Sequence, residues 1–231
     1  MQIRQIDSGL LHSNMYVVSE NGHAIVIDPC ADTTAAEGLT VDYLIVTHEH
    51  YDHISGVNAW KERTGAPLLC SRACAGNINN PRKNMSRYFD VFCQMQTWMP
   101  AEETVTAPAE YRCEADLVFD GTMTVEWQGH TVTLTEVPGH SLGSIGIDID
   151  RKEFFYGDSL FENVEIELRF PGGSAERWEQ IGKMKVAAIP DGASIRPGHF
   201  GSFILCRHKQ DSVEDGNVCH FSETAGSRFP G

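Results

Sequence analysis

The stretch Tyr43-Leu44-Ile45-Val46-Thr47-His48-Glu49-His50-Tyr51-Asp52-His53 sets four potential metal ligands, His48, His50, Asp52 and His53, directly after an apolar run. A short buried strand that ends in such a cluster is a poor way to build a core and a good way to build a metal site. Imidazole and carboxylate together suit zinc, iron or manganese. His48 and His50, at alternate positions, reach one ion only where the backbone is extended or turning. Asp52 and His53 then point elsewhere, which suggests two adjacent ions sharing one loop.

Working outward, Met15-Tyr16-Val17-Val18 and Ala24-Ile25-Val26-Ile27 read as strands of a hairpin turning at Asn21-Gly22, and this hairpin is expected to open the domain. Asp28-Pro29 stops the second strand. After the His cluster, a helix is predicted from about Ile54 to Arg63, closed by Gly65, followed by a strand at Pro67-Leu68-Leu69-Cys70. From Arg72 to Tyr111 helical patches alternate with Pro81, Pro100 and Pro108. Strand patterning returns at 117–119, 123–127, 131–135, 145–149 and 153–156. A helix is predicted over 175–185 with Ser174 as its N-cap, and a last strand at 193–196. Three more candidate ligands follow predicted strands, each after a glycine suited to a tight turn: Gly139-His140, Gly157-Asp158 and Gly198-His199.

With these in hand the chain resembles the metallo-β-lactamase-fold hydrolases, whose His-x-His-x-Asp-His pattern followed by His, Asp and His is met by His48, His50, Asp52, His53, His140, Asp158 and His199. The match runs from about Met15 to His199. The resemblance implies an α/β four-layer αββα sandwich, with one metal held by His48, His50 and His140, a second by Asp52, His53 and His199, and Asp158 bridging them. It implies a metal-bridging hydroxide as nucleophile, with Asp52, His48 and His50 as catalytic residues and Asp52 orienting the water. Two divalent ions are expected, zinc first, with iron or manganese as alternatives.

Within that family, Asn84-Met85-Ser86, the run 137–144, Gly157-Asp158-Ser159-Leu160-Phe161 and Phe170-Pro171-Gly172-Gly173-Ser174 are similar to the short bacterial relatives of glyoxalase II, the hydroxyacylglutathione hydrolases. Thioester hydrolysis is the activity this implies. Lactone or ester hydrolysis is the next reading. A persulfide dioxygenase with one iron on the residues matching His48, His140 and Asp158 is a third, from another reaction class. A non-catalytic module of the same fold would usually have lost ligands, and none is lost here. Where those relatives carry Gly-Arg-Thr-Asp, this chain has Ile166-Glu167-Leu168-Arg169, which leaves the thiol carrier open. No counterpart of the helical C-terminal domain with which full-length glyoxalase II holds glutathione is read in these 231 residues, so glutathione is not the expected carrier.

Composition narrows the partners. A net charge of -14 over 231 residues opposes a polyanion, since nucleic-acid binding relies on Lys and Arg at phosphates. No signal peptide or membrane span is read, so a small-molecule substrate and a cytoplasmic location are expected. Cys30, Cys70, Cys74, Cys93, Cys113, Cys206 and Cys219 are odd in number and scattered, as free thiols are. Cys70 and Cys74 read as small buried hydrophobes. Cys206, His208, Cys219 and His220 could ligate a zinc ion, though their spacing is irregular. His12, His23 and His130 read as solvent-exposed. Ser159 sits in a Gly-Asp-Ser-Leu string reminiscent of serine esterases, but Arg196 stands where such an enzyme needs an Asp before its late His. Met85, Tyr88, Phe89, Phe92, Met95, Trp98 and Met99 form an apolar band that packs on the core or walls a substrate pocket. The folded domain is expected over 1–205, with 206–231 as a poorly ordered or appended tail.

Overall fold

Successive side chains of a strand point to opposite faces, and where both faces are apolar each must be covered, which decides the layering. The computed structural model describes residues 1–94, 108 and 110–207. The first sheet has the order β1 (Gln2–Asp7), β2 (Asn14–Glu20), β3 (His23–Ile27), β4 (Thr40–Ile45), β5 (Leu68–Ser71) and β6 (Leu117–Phe119). Its first two pairings are antiparallel and the other three parallel. The second sheet runs from β12 (Phe203–Ile204) through β11 (Ser194–Pro197), β10 (Glu153–Gly157), β9 (Ile145–Ile149) and β8 (His130–Glu136) to β7 (Thr122–Trp127). Only β10 and β11 pair in parallel in this sheet.

In β2 and β3, Tyr16, Val18, Ile25 and Ile27 face the second sheet, where Trp127, Val132, Leu134, Ile145, Ile147 and Phe155 complete the inter-sheet core. Tyr16 and Phe155 meet edge-on at 5.1 Å between ring centroids. The residues between them, Met15, Val17, Ala24 and Val26, face outward against α1 (Tyr51–Ile54), α2 (Val57–Thr64) and α3 (Arg72–Ile78), through Ile54, Val57, Trp60, Cys74 and Ile78. On the far side, Phe154, Tyr156 and Ile195 of the second sheet pack with Trp178 and Val186 from α5 (Ala175–Arg177), α6 (Lys183–Ala187) and the turn between them. The result is the expected αββα sandwich.

The structure departs from the sequence reading in several places. The hairpin does not open the domain: β1 precedes it, an edge strand whose alternation is weak because only Ile3 and Ile6 turn inward. The helix expected over 175–185 is capped by the Ser174 hydroxyl as predicted but widens into a π-turn at Trp178–Gly182. A Cβ on Gly182 would lie 2.5 Å from the Pro138 carbonyl oxygen, so the helix is pressed against the loop that leads to His140. The Ile54–Arg63 helix divides at Ser55-Gly56 and ends as expected at Gly65, with φ of 70°. His23 and His130 are half-buried partners of Asp42 and Asp150, at 2.9 and 2.6 Å, because both histidines begin strands beside an acidic neighbour. Cys30, Cys70, Cys74, Cys93 and Cys113 are buried free thiols. Met95, Trp98, Met99, His208, Cys219, His220 and most of the expected tail lie outside the described residues.

Candidate metal centre

Every candidate ligand sits at one rim of the sandwich, where strands from both sheets end. β4 leads to His48, β8 to His140, β10 to Asp158 and β11 to His199. The rim is sewn together across the sheets: Ile145 N–H donates to the Thr47 carbonyl (2.8 Å), Asn14 N–H to that of Gly198 (2.7 Å) and the Tyr16 hydroxyl to that of Pro197 (2.7 Å). His50 is extended, with φ -67° and ψ 145°, and caps α1, whose first turn carries Asp52 and His53. That change of backbone sends the four close-spaced ligands in two directions.

The donor atoms form three overlapping groups, each within 4.8 Å: His48, His50 and His140; Asp52, His53 and His199; and His48, His53 and Asp158. Asp158 lies between the first two. Its Oδ2 is 3.5 Å from His140 Nε2 and 3.4 Å from His199 Nε2, and its Oδ1 is 3.5 Å from His53 Nε2. Asp52 Oδ2 is 3.3 Å from His53 Nε2 and 3.4 Å from His199 Nε2. All seven sequence candidates therefore meet.

The outer nitrogen of each imidazole is held by an oxygen. His50 Nε2–H donates to the Pro171 carbonyl (3.2 Å), His140 Nδ1–H to Glu167 (2.8 Å) and His199 Nδ1–H to Leu11 (3.0 Å). His53 Nδ1–H donates to Asp28 Oδ2 (3.0 Å), and His48 Nδ1 pairs with the Thr47 hydroxyl (3.1 Å). These partners set the tautomer of each ring when it is neutral, so the inner nitrogens of His48, His50 and His140 carry lone pairs. His50 Nδ1 and His140 Nε2 consequently face each other at 3.0 Å as two acceptors. His48 Nε2, His53 Nε2 and Asp158 Oδ1 are buried without any hydrogen-bond partner. Buried lone pairs aimed at one another are repulsive unless a cation lies among them, so this donor set fits divalent metal.

The electrostatics point the same way. Burial pushes His140 down to about 4, and it lowers His48 and His50 as well, leaving neutral imidazoles able to donate a lone pair. Burial also acts against the His199 cation, yet Asp158 and Asp52 outweigh it and hold His199 up at about 10. The two carboxylates thus favour positive charge at their end of the site.

The glycines before the ligands serve close approach more than turning. Only Gly157 has a positive φ, 48°, and its Cβ would strike the Thr47 hydroxyl at 2.4 Å. A Cβ on Gly198 would come 2.2 Å from Asp158 Oδ1, and one on Gly139 2.7 Å from the Trp178 ring. The sequence reading passed over Asp28, taken there as a strand stop. It is buried, with φ of 51°, and accepts from Thr47 N–H (2.6 Å), the Thr47 hydroxyl (2.7 Å) and His53. Its Asp-Pro setting and place at a strand end were the available signals.

Aromatic rings flank the donors on two sides. Phe170 stands edge-on to His50 and His140, at 6.0 and 5.8 Å, with Phe92 5.2 Å behind it. Beyond His199, Phe200 is 56% exposed at a left-handed φ of 68°, and Phe161 lies 5.6 Å from it. Its carbonyl accepts from Asn14 Nδ2 and Gln5 Nε2, both at 2.9 Å, which holds that costly backbone in place. Ser159 is buried.

Fold and site together are those of a metallo-β-lactamase-fold protein with a candidate metal centre. Residues 8–196 match the family model described as the Metallo-beta-lactamase superfamily, and the chain belongs to that superfamily, whose fold implies divalent-metal binding. It is 28% identical over 187 residues to a hydroxyacylglutathione hydrolase from Photobacterium profundum, a match covering 78% of this chain and 58% of that protein. The chain thus spans less than two thirds of the length of that relative. Among solved structures, it is similar to the BLEG-1 B3 metallo-beta-lactamase, with TM-score 0.71, 23% identity and 88% and 94% of the two chains covered. It is also similar to TTHA1623 in a di-iron-bound form, with TM-score 0.64, 20% identity and 87% and 94% covered. Among the described residues no helix is long and apolar enough to cross a membrane.

Proposed function

We propose that the protein is a dinuclear metal-dependent hydrolase of small-molecule thioesters. The observation that carries this is the convergence of seven donor residues into two triplets with Asp158 between them. His48, His50 and His140 would hold one ion, Asp52, His53 and His199 the other, and Asp158 both; zinc suits this nitrogen and oxygen set. When bound, two such ions supply a water activated near neutral pH and a Lewis acid for the attacked carbonyl. The chain's own part is to fix the imidazole tautomers through Pro171, Glu167, Leu11, Asp28 and Thr47, and to set the Asp52 carboxylate where it can orient the water. The likeness to hydroxyacylglutathione hydrolases supports the thioester reading. The buried unpaired thiols support a reducing, cytoplasmic setting.

The test is a panel of thioesters, lactones and β-lactams run on protein of measured metal content. Two metal ions per chain and fastest turnover of a thioester are expected, with activity lost on chelation and restored by zinc. A metal-replete protein that prefers lactones sinks the thioester assignment. One iron per chain with oxygen uptake on glutathione persulfide sinks hydrolysis altogether.

Among the described rings, Phe170 stands against two of the candidate ligands, His50 and His140. Phe170→Ala is expected to raise KM for a thioester with an apolar acyl group about tenfold, the effect of losing part of one buried aromatic contact, with kcat little changed. Steady-state kinetics checks this, and an unchanged KM removes Phe170 from the substrate wall.

A further inference from the structure

Glu49 lies between His48 and His50, yet it is no part of the donor set. Its side chain is fully buried, with 0% exposure, and stands outside the three donor groups. Asn77 Nδ2, from α3, donates to its Oε1 at 2.7 Å, and the Ser141 hydroxyl donates to its Oε2 at 2.7 Å. Ser141 follows His140 directly, and its loop is tightened by Ser144 Oγ, 3.0 Å from Ser141 Oγ and 3.1 Å from Ser141 N. The surroundings are shaped around this carboxylate. A Cβ on Gly143, in the His140 loop, would lie 2.3 Å from Oε2, and one on Gly172 would lie 3.1 Å from Oε1. Gly172 follows Pro171, whose carbonyl accepts from His50 Nε2.

Three loops thus close on one side chain. All three members of the His48, His50 and His140 triplet are chain neighbours of the Glu49–Ser141 hydrogen bond. No member of the Asp52, His53 and His199 triplet is held by it; His53 and His199 rest on Asp28 and Leu11 instead. We infer that Glu49, acting through Ser141, is the positioning residue of the first triplet alone, so that the two metal sites are supported separately. This rests on the dinuclear reading proposed above. A buried carboxylate with two neutral donors fixes a distance between loops, and partners one layer out from a metal typically set its affinity by about 10–100-fold.

The experiment measures metal stoichiometry and affinity of the full chain by competition with a chromophoric chelator, using zinc, for wild type, Glu49→Ala, Glu49→Gln and Ser141→Ala. Wild type is expected to hold two ions. Glu49→Ala and Ser141→Ala are expected to weaken one of them about 10–100-fold and leave the other within about threefold. Glu49→Gln, which keeps the shape, an acceptor for Asn77 and a partner for Ser141, is expected to restore most of that loss. Should Glu49→Ala not fold, Ser141→Ala, which removes a single oxygen, carries the same comparison. Variants that hold both ions as tightly as wild type, or that weaken both equally, overturn the inference while the dinuclear reading stands. A wild type that binds no metal overturns the reading, and the inference with it.

Discussion

Asp158→Ala is expected to lower kcat/KM by on the order of a thousandfold, since in the proposed dinuclear site a carboxylate that serves both ions would contribute several kcal/mol of charge stabilisation at about 1.4 kcal/mol per factor of ten. The geometry gives the reason. Asp158 is the only one of the seven residues within 3.5 Å of His53, His140 and His199 together, so its loss uncouples the two triplets. Gly198 leaves room for it, since a Cβ there would lie 2.2 Å from Asp158 Oδ1. Asp158→Asn separates charge from shape: it keeps the volume and one oxygen, so activity close to that of Asp158→Ala identifies charge as the lost element. Metal content should fall in both variants, while the far-UV circular dichroism stays that of the wild type. Full activity in Asp158→Ala sinks the dinuclear mechanism.

Asp28→Ala should damage folding as well as metal binding. Its carboxylate satisfies the Thr47 N–H, the Thr47 hydroxyl and His53 Nδ1 in a place that is 2% exposed. Each buried donor left unpaired costs about 1–3 kcal/mol, and alanine at a left-handed φ adds about 1 kcal/mol, so on the order of 4–10 kcal/mol is expected for the three donors and the backbone together. That is a large part of the 5–15 kcal/mol, roughly, that holds a typical domain folded. Asp28→Asn keeps an acceptor and tolerates the backbone, so it should lose much less; Asp28→Gly relieves the backbone only and should fall between them. Urea unfolding of the three variants gives the order, and an Asp28→Ala protein as stable as Asp28→Asn would refute the account.

Much of the fold was legible because the strands are short apolar runs whose side chains point alternately to two faces. Tyr16 and Val18 against Met15 and Val17, or Phe155 against Phe154 and Tyr156, separate inner from outer faces of the sheets, and alternation is a local property of the chain. β1 escaped because an edge strand buries only every third or so of its residues, and the π-turn at Trp178–Gly182 escaped because it lies where the helix packs on Pro138, a contact between segments distant in the chain. At the site, the ligands were legible as residue types at strand ends. Their supports were not: three of them are backbone carbonyls, at Leu11, Glu167 and Pro171, and a carbonyl has no identity in a sequence.

The sequence by itself determined that a strand ends in His48, His50, Asp52 and His53, that three further ligands follow other strands, and that the chain belongs among αββα metal-site proteins. These follow from residue chemistry and from periodicities that neighbours along the chain impose. Only the tertiary structure decided how the ligands divide and what holds them. Asp28 reaches His53 across 25 residues and Glu49 reaches Ser141 across 92, and a buried hydrogen bond between such distant groups exists only once both sheets have packed.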